Sequence, residues 1–216
     1  MESNYQKVVS IQAGKISLRG ELVIPAGAKS IVIFSHGSGS SRLSMRNKQV
    51  ANGLHLKNIG TLLFDLLTEA EDISYRNRFD INLLTDRLVT ATRWLEVLPN
   101  AKDCVIGYFG ASTGAASALK AAANMHEIGA VVSRGGRPDL AREDLSKVKS
   151  PTLLIVGSLD PEVIQLNKDA FAQLKCEKKL TVVEGATHLF EESGKMEIVS
   201  TLAANWFENH LTSVEV

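Results

Sequence analysis

Apolar residues along this chain fall into short continuous runs, and between the runs they recur every three or four positions. The runs are Ile31-Val32-Ile33-Phe34, Thr61-Leu62-Leu63-Phe64, Val105-Ile106-Gly107-Tyr108-Phe109, residues 128–133, residues 151–157 and Leu180-Thr181-Val182-Val183. Runs of this length, rich in β-branched residues, predict strands covered on both faces. Residues 45–57 read as a moderately amphipathic helix. Residues 80–98 repeat Ile81, Leu84, Leu88, Ala91, Trp94, Leu95 and Leu98 at helical spacing until Pro99-Asn100 stops them. Pro161 suits the first turn of a helix running toward Leu174, and Ile198, Leu202, Trp206 and Leu211 mark a C-terminal helix. Residues 65–79 read as a long charged loop and residues 139–147 as a short acidic and basic helix. Ahead of all this, residues 8–12 and 16–24 alternate as a hairpin through Ala13-Gly14. Strands and helices alternate from about residue 31 onward, which predicts an α/β fold with a mostly parallel sheet and helices on both faces.

One run carries more than packing information. Val105 to Phe109 enters Gly110-Ala111-Ser112-Thr113-Gly114, and an Ala-rich helical segment leaves it. A serine at so sharp a strand-to-helix reversal matches a nucleophile elbow, whose strained backbone lifts the hydroxyl above the sheet edge. Strand and helix nearly touch there, so the flanking positions must lack bulk. Gly110, Ala111, Gly114 and Ala115 meet that demand.

In a parallel sheet, reactive groups gather in the loops after the carboxyl ends of strands. Ser112, Asp160 and His188 each fall in such a loop, in the order Ser, Asp, His. Serine needs an imidazole to take its proton, and the imidazole needs a carboxylate on its other nitrogen. His188 follows the last strand in Gly185-Ala186-Thr187-His188. His55 and His126 lie in helical segments and His210 near the chain end, so they are poorer bases. Asp139 and Asp144 belong to a charged, solvated segment, whereas Asp160 follows a buried strand by a short turn. Its competing role is to cap the helix that starts at Pro161.

The loop His36-Gly37-Ser38-Gly39 follows an earlier strand and supplies a candidate oxyanion hole. The backbone N–H groups of Ser38 and Thr113 are its expected donors, with His36 fixing the loop. Arg134 follows the strand residues Ala130-Val131-Val132-Ser133 at the same carboxyl edge, with glycines after it. It is a candidate to hold a substrate carboxylate, and its alternative is to pair, like Arg137, with Asp139, Glu69 or Asp72.

Composition narrows the classes. Lys+Arg and Asp+Glu number 24 each, which removes the electrostatic footprint of non-specific nucleic-acid or anionic-membrane binding. With 216 residues and no linker-like stretch, a single domain over residues 1–216 is expected. The segment MESNYQKVVS lacks a leader pattern, and no apolar run approaches the ~18–20 residues a bilayer crossing needs. Cys104 and Cys176 have neither metal-ligand spacing nor a disulfide-framework pattern, which suits a reducing cytoplasm.

The elbow GASTG, the HGSGS loop, the GSLD acid turn and the GATH histidine turn resemble the α/β-hydrolase superfamily. The short loops and lack of a long cap insertion look most like its dienelactone-hydrolase-related branch. The resemblance spans nearly the whole chain. It implies an α/β-hydrolase fold with a mixed eight-stranded sheet, no cofactor and no metal, and Ser112, Asp160 and His188 as nucleophile, acid and base. True dienelactone hydrolases carry cysteine at the nucleophile, and here the elbow holds Ser112. The function it implies is hydrolysis of a small carboxylic ester, lactone or related acyl compound through an acyl-enzyme. The competing class is a non-catalytic ligand-binding or partner-binding protein on the same fold. A shallow pocket is expected between residues 66–79 and 134–137, with a small molecule as its partner.

Overall fold

The computed structural model describes residues 5–211; the outer ends of the predicted domain, residues 1–4 and 212–216, lie outside them. The hairpin forms from β1 (Tyr5–Ala13) and β2 (Ile16–Ile24), in antiparallel register from Tyr5 opposite Ile24 to Ala13 opposite Ile16. Gly14 takes the turn at φ 63, a left-handed value that glycine adopts without steric cost. Then follow β3 (Ser30–Ser35), α1 (Met45–Leu56), β4 (Gly60–Phe64), α2 (Glu69–Asp72) and α3 (Ile81–Glu96). The second half runs β5 (Val105–Ala111), α4 (Thr113–Asn124), β6 (Ala130–Arg134), β7 (Thr152–Gly157), α5 (Pro161–Gln173), β8 (Lys178–Val183) and α6 (Lys195–His210).

The strands make one eight-stranded sheet in the order β1-β2-β4-β3-β5-β6-β7-β8. β2 pairs antiparallel with β4, and every pair from β4 to β8 is parallel. Alternating side chains divide between two cores. Ile33, Leu62, Tyr108, Val131 and Leu154 join Leu84, Leu88 and Leu95 of α3 and Ala118, Leu119 and Ala122 of α4. Phe34, Leu63, Phe109, Val132 and Ile155 join Val50 and Leu54 of α1 and Val199, Ala203 and Phe207 of α6. Both faces are covered, which is why the central strands read as unbroken apolar runs.

Two expected segments differ. The long loop at 65–79 contains α2, nucleated by a capping box in which Thr68 Oγ1 accepts from the Glu71 N–H and Glu71 Oε2 accepts from the Thr68 N–H. The short helix expected over 139–147 is instead two 3-10 turns, Pro138–Ala141 and Leu145–Lys147. Its few apolar residues supply no stripe long enough to propagate an α-helix. Among the described residues, no helix is long and apolar enough to cross a membrane.

Candidate active site

The reversal between β5 and α4 leaves Ser112 at φ 51 and ψ −120, a conformation costly for any residue with a Cβ. The crowding expected on either side is present. A Cβ on Gly114 would lie 2.1 Å from Ser35 O, and one on Gly110 would lie 2.4 Å from Ala115 Cα. The buried hydroxyls of Ser35 and Ser117 hydrogen-bond at 2.7 Å, tying the end of β3 to the first turns of α4. From the other side, the Ser112 N–H donates to Arg134 O at 3.2 Å and Ser112 O accepts from the Arg137 N–H at 3.1 Å. The elbow is thereby fixed between β3 and the loop after β6.

That loop also meets the histidine. A Cβ on Gly135 would lie 3.5 Å from both Cε1 and Nδ1 of His188. His188 Nδ1 and Asp160 Oδ2 are 2.7 Å apart. Asp160 stands at the N-cap of α5 but makes no capping bond with its side chain, so its carboxylate serves the imidazole. With Nδ1–H donating to that carboxylate, Nε2 keeps its lone pair free to accept a proton. Among the described residues, the Ser112 hydroxyl has no hydrogen-bond partner. Ser112 and His188 are thus not hydrogen-bonded to each other, which is often the case in candidate sites before substrate tightens them.

The rival acids are engaged elsewhere. Asp139 holds Arg137 through two bonds, Nε to Oδ1 at 2.9 Å and Nη2 to Oδ2 at 2.8 Å. Asp144 pairs with Lys120 and Lys147.

Ser38 and Thr113, the two expected oxyanion donors, do meet. The Ser38 N–H, however, donates to Thr113 Oγ1 at 3.0 Å. The Thr113 N–H, at the first position of α4, has no acceptor among the described residues. Of the two amides, the Thr113 N–H is thus open, and rotation of the Thr113 side chain would free the Ser38 N–H. His36 holds the loop as expected: Nδ1–H donates to Gly37 O and Nε2 accepts from the Leu66 N–H, each at 3.0 Å. Burial pushes the His36 pKa down, which keeps the ring in the neutral form that this pair of bonds requires.

Leu66, Leu67 and Arg78 of the 66–79 loop line a small recess with Gly37, Ser38 and Thr113, and residues 134–137, the other expected wall, do not line it. A larger cavity of about 460 Å³ lies beyond His36, lined by Arg19, Arg42, Asp65 and Glu69, and it includes neither Ser112 nor His188. Chemistry rather than volume marks the site.

The two arginines after β6 part company. Arg137 pairs with Asp139. Arg134 is 5 % exposed, and its guanidinium has no hydrogen-bond or ion-pair partner among the described residues and lies 5.9 Å from the centre of the Phe190 ring. Desolvation first, and then the charge of Arg46, lower its pKa to about 10.

Several supporting residues escaped the sequence reading. Asn167 of α5 is fully buried and its Nδ2 donates to Gly136 O at 3.0 Å, bracing the loop under His188; a lone amide on an apolar helix face was the available signal. Ser158 Oγ accepts from the Gly185 N–H at 2.8 Å, joining the acid and histidine turns. Glu192 accepts from the Thr187 N–H, and hydrogen bonding first of all with the Thr187 side chain, and then with backbone amides, holds its carboxyl below the usual range. Phe190, at φ 57, carried no sequence signal.

A model of the dienelactone hydrolase family matches residues 69–211. A dienelactone hydrolase structure from Anabaena variabilis is 50 % identical and superposes with a TM-score of 0.94, covering 98 % of this chain and 100 % of that one. Est1E from Butyrivibrio proteoclasticus, at 16 % identity, has a TM-score of 0.81 over 94 % of this chain and 98 % of its own. Pyrococcus furiosus esterase Pf2001, at 18 % identity, also has a TM-score of 0.81, over 97 % of this chain and 93 % of its own. The latter two likenesses are of fold. Two Mycobacterium tuberculosis proteins, provisionally named phosphoribosyl transferases, are 52 % identical over 204 residues, which is 94 % of this chain and 46 % of theirs. The chain spans about half the length of those curated relatives.

Proposed function

The chain belongs to the dienelactone hydrolase family, and from that premise we propose that it is a serine hydrolase acting on a small carboxylic ester, lactone or related acyl compound through an acyl-enzyme. The observation that carries this reading is the strained Ser112 at the elbow on the same sheet edge as the 2.7 Å His188–Asp160 pair. In the proposed reaction, His188 Nε2 takes the Ser112 proton as Oγ attacks the acyl carbon. Asp160 holds the ring and stabilises the imidazolium that forms. The developing oxyanion takes the Thr113 N–H, and the Ser38 N–H once Thr113 Oγ1 turns away. His188 then gives its proton to the departing alkoxide. Water, activated by the same nitrogen, cleaves the acyl-enzyme and restores Ser112.

The provisional name of the Mycobacterium tuberculosis relatives describes proteins about twice as long, and the residues gathered here are suited to acyl transfer. A non-catalytic binding protein is the competing reading. A fluorophosphonate separates the two, because it reacts with an activated serine and leaves a passive one unmodified. We expect covalent labelling of Ser112, no labelling of Ser112→Ala, and a loss on the order of 10⁶ in turnover for that variant. Alanine fits the crowded elbow, so the variant should fold. Comparable turnover by folded Ser112→Ala would eliminate the serine mechanism.

A further inference from the structure

The Ser38 N–H, one of the two donors in the proposed reaction, already has an acceptor inside the chain, Thr113 Oγ1 at 3.0 Å. That N–H is not free to swing toward another. The peptide plane that carries it also carries Gly37 O, which accepts from His36 Nδ1–H at 3.0 Å and from the Ser40 N–H at 3.1 Å. A Cβ on Gly37 would lie 3.1 Å from Ser112 Cβ and 3.2 Å from Ala111 O, so the same plane is pressed against the elbow. Farther along, Asp65 Oδ1 accepts from the Arg42 N–H at 2.8 Å and ties down the end of the loop. The part left to turn is the Thr113 side chain.

Thr113 stands at the first position of α4, where no earlier helical turn crowds it, and threonine there has more than one staggered rotamer open. It is buried, and with Ser38, Gly39, Leu66, Leu67 and Leu84 it lines a recess of about 10 Å³, at the lower limit for one water molecule. Solvent is a poor substitute in so tight a space, and a buried amide without an acceptor is costly. The hydroxyl thus keeps the Ser38 N–H satisfied until a substrate competes for it. A neutral ester carbonyl offers that amide a bond comparable with the one it has, whereas an oxyanion offers one roughly twice as strong. The exchange is favoured as charge develops on the substrate oxygen, which is where a new interaction lowers the barrier.

We infer that the Thr113 hydroxyl is a plug in the oxyanion site, a positioning residue that holds the Ser38 amide in the free protein and yields it to a negatively charged oxygen. This rests on the proposed Ser112 hydrolase reading and adds a control on the donors of that site. The plug slows the reaction, because its hydrogen bond has to be exchanged in every turnover.

The experiment measures, in the full chain, the second-order rate constant for labelling of Ser112 by a fluorophosphonate. Ser112 Oγ forms the bond to phosphorus, fluoride leaves, His188 takes the serine proton, and the phosphoryl oxygen gathers negative charge where an ester oxyanion would. Thr113→Ala removes the plug and keeps the backbone N–H at that position. Labelling should quicken about 2- to 10-fold, the worth of one neutral hydrogen bond. A residue that merely supports the elbow, or one whose hydroxyl itself donates to the oxyanion, would slow labelling when truncated. A slower or unchanged rate therefore overturns the inference. So does an equal gain in Thr113→Ser, which sheds the methyl but keeps the hydroxyl and so isolates the effect of bulk. If Thr113→Ala does not fold, Thr113→Cys carries the same test, since sulfur is a weaker acceptor than a hydroxyl oxygen. A parent chain that labels at Ser112 and gains nothing from Thr113→Ala loses only the plug. A parent chain that does not label loses the hydrolase reading and the plug with it.

Discussion

Asp160 stands where a side chain would ordinarily cap α5, and its carboxylate goes instead to His188. Pro161 lessens the cost, since proline at the first helical position removes one amide that would otherwise want an acceptor. An amide side chain at 160 would keep the size and shape while offering His188 Nδ1 no charge and an ambiguous partner. Asp160→Asn should therefore lower turnover by about 10⁴ with the fold retained. Asp139→Asn severs only the partly exposed pair with Arg137, worth about 0–1 kcal/mol, and should leave turnover near that of the parent. Steady-state kinetics of the two variants with one ester decides between the acids, and the reverse order of effects would reassign the role to Asp139.

At the scale of elements, the proposed activity would depend on how closely β3, β5 and α4 approach one another. A Cβ on Gly114 would meet two backbone oxygens, Ser35 O at 2.1 Å and His36 O at 2.5 Å, which are less able to yield than a side chain. Gly114→Ala should thus destabilise by at least the roughly 1–3 kcal/mol typical of overpacking and slow fluorophosphonate labelling, because the loop bearing Ser38 moves with β3. A urea midpoint equal to that of the parent would show that the elbow is looser than this spacing. The same crowding is what made the elbow readable in advance: small residues at 110, 111, 114 and 115 have few other reasons to coincide. The strands were legible because both faces of the sheet are covered, and α3 because Asp80 caps a regular apolar stripe. The four-residue α2 was not, since a single turn held by Thr68 and Glu71 has no period to detect. Nor could a linear pattern show that Arg134 lies beneath Phe190, or that Thr113 Oγ1 occupies the Ser38 amide. Those facts depend on a loop far along the chain and on one side-chain rotamer.

At the scale of the whole molecule, the buried rings set a pH response. His36 and His55 have pKa values lowered from 6.5 by desolvation. Their folded values lie below the unfolded one, so the unfolded chain binds more protons near and below pH 6.5. Stability is therefore fully present above about pH 6.5 and is lost as pH falls toward the folded values, at up to ~1.4 kcal/mol per pH unit for a ring as buried as His36. The half-buried His55 contributes less. Urea unfolding at pH 7.5 and 5.5 should show this loss, and His36→Gln should reduce the difference; a variant that keeps all of it would place the effect elsewhere. The sheet order has a further consequence in time. Ser112 directly follows the central strand β5, whereas His188 follows β8, the edge strand that comes latest in the described chain. During synthesis at about 5–20 residues per second, the serine leaves the ribosome several seconds before its base exists. Under the proposed mechanism, a nascent or truncated chain lacking the β8 turn would therefore carry an inert hydroxyl, and chemical competence would arrive only with that edge strand.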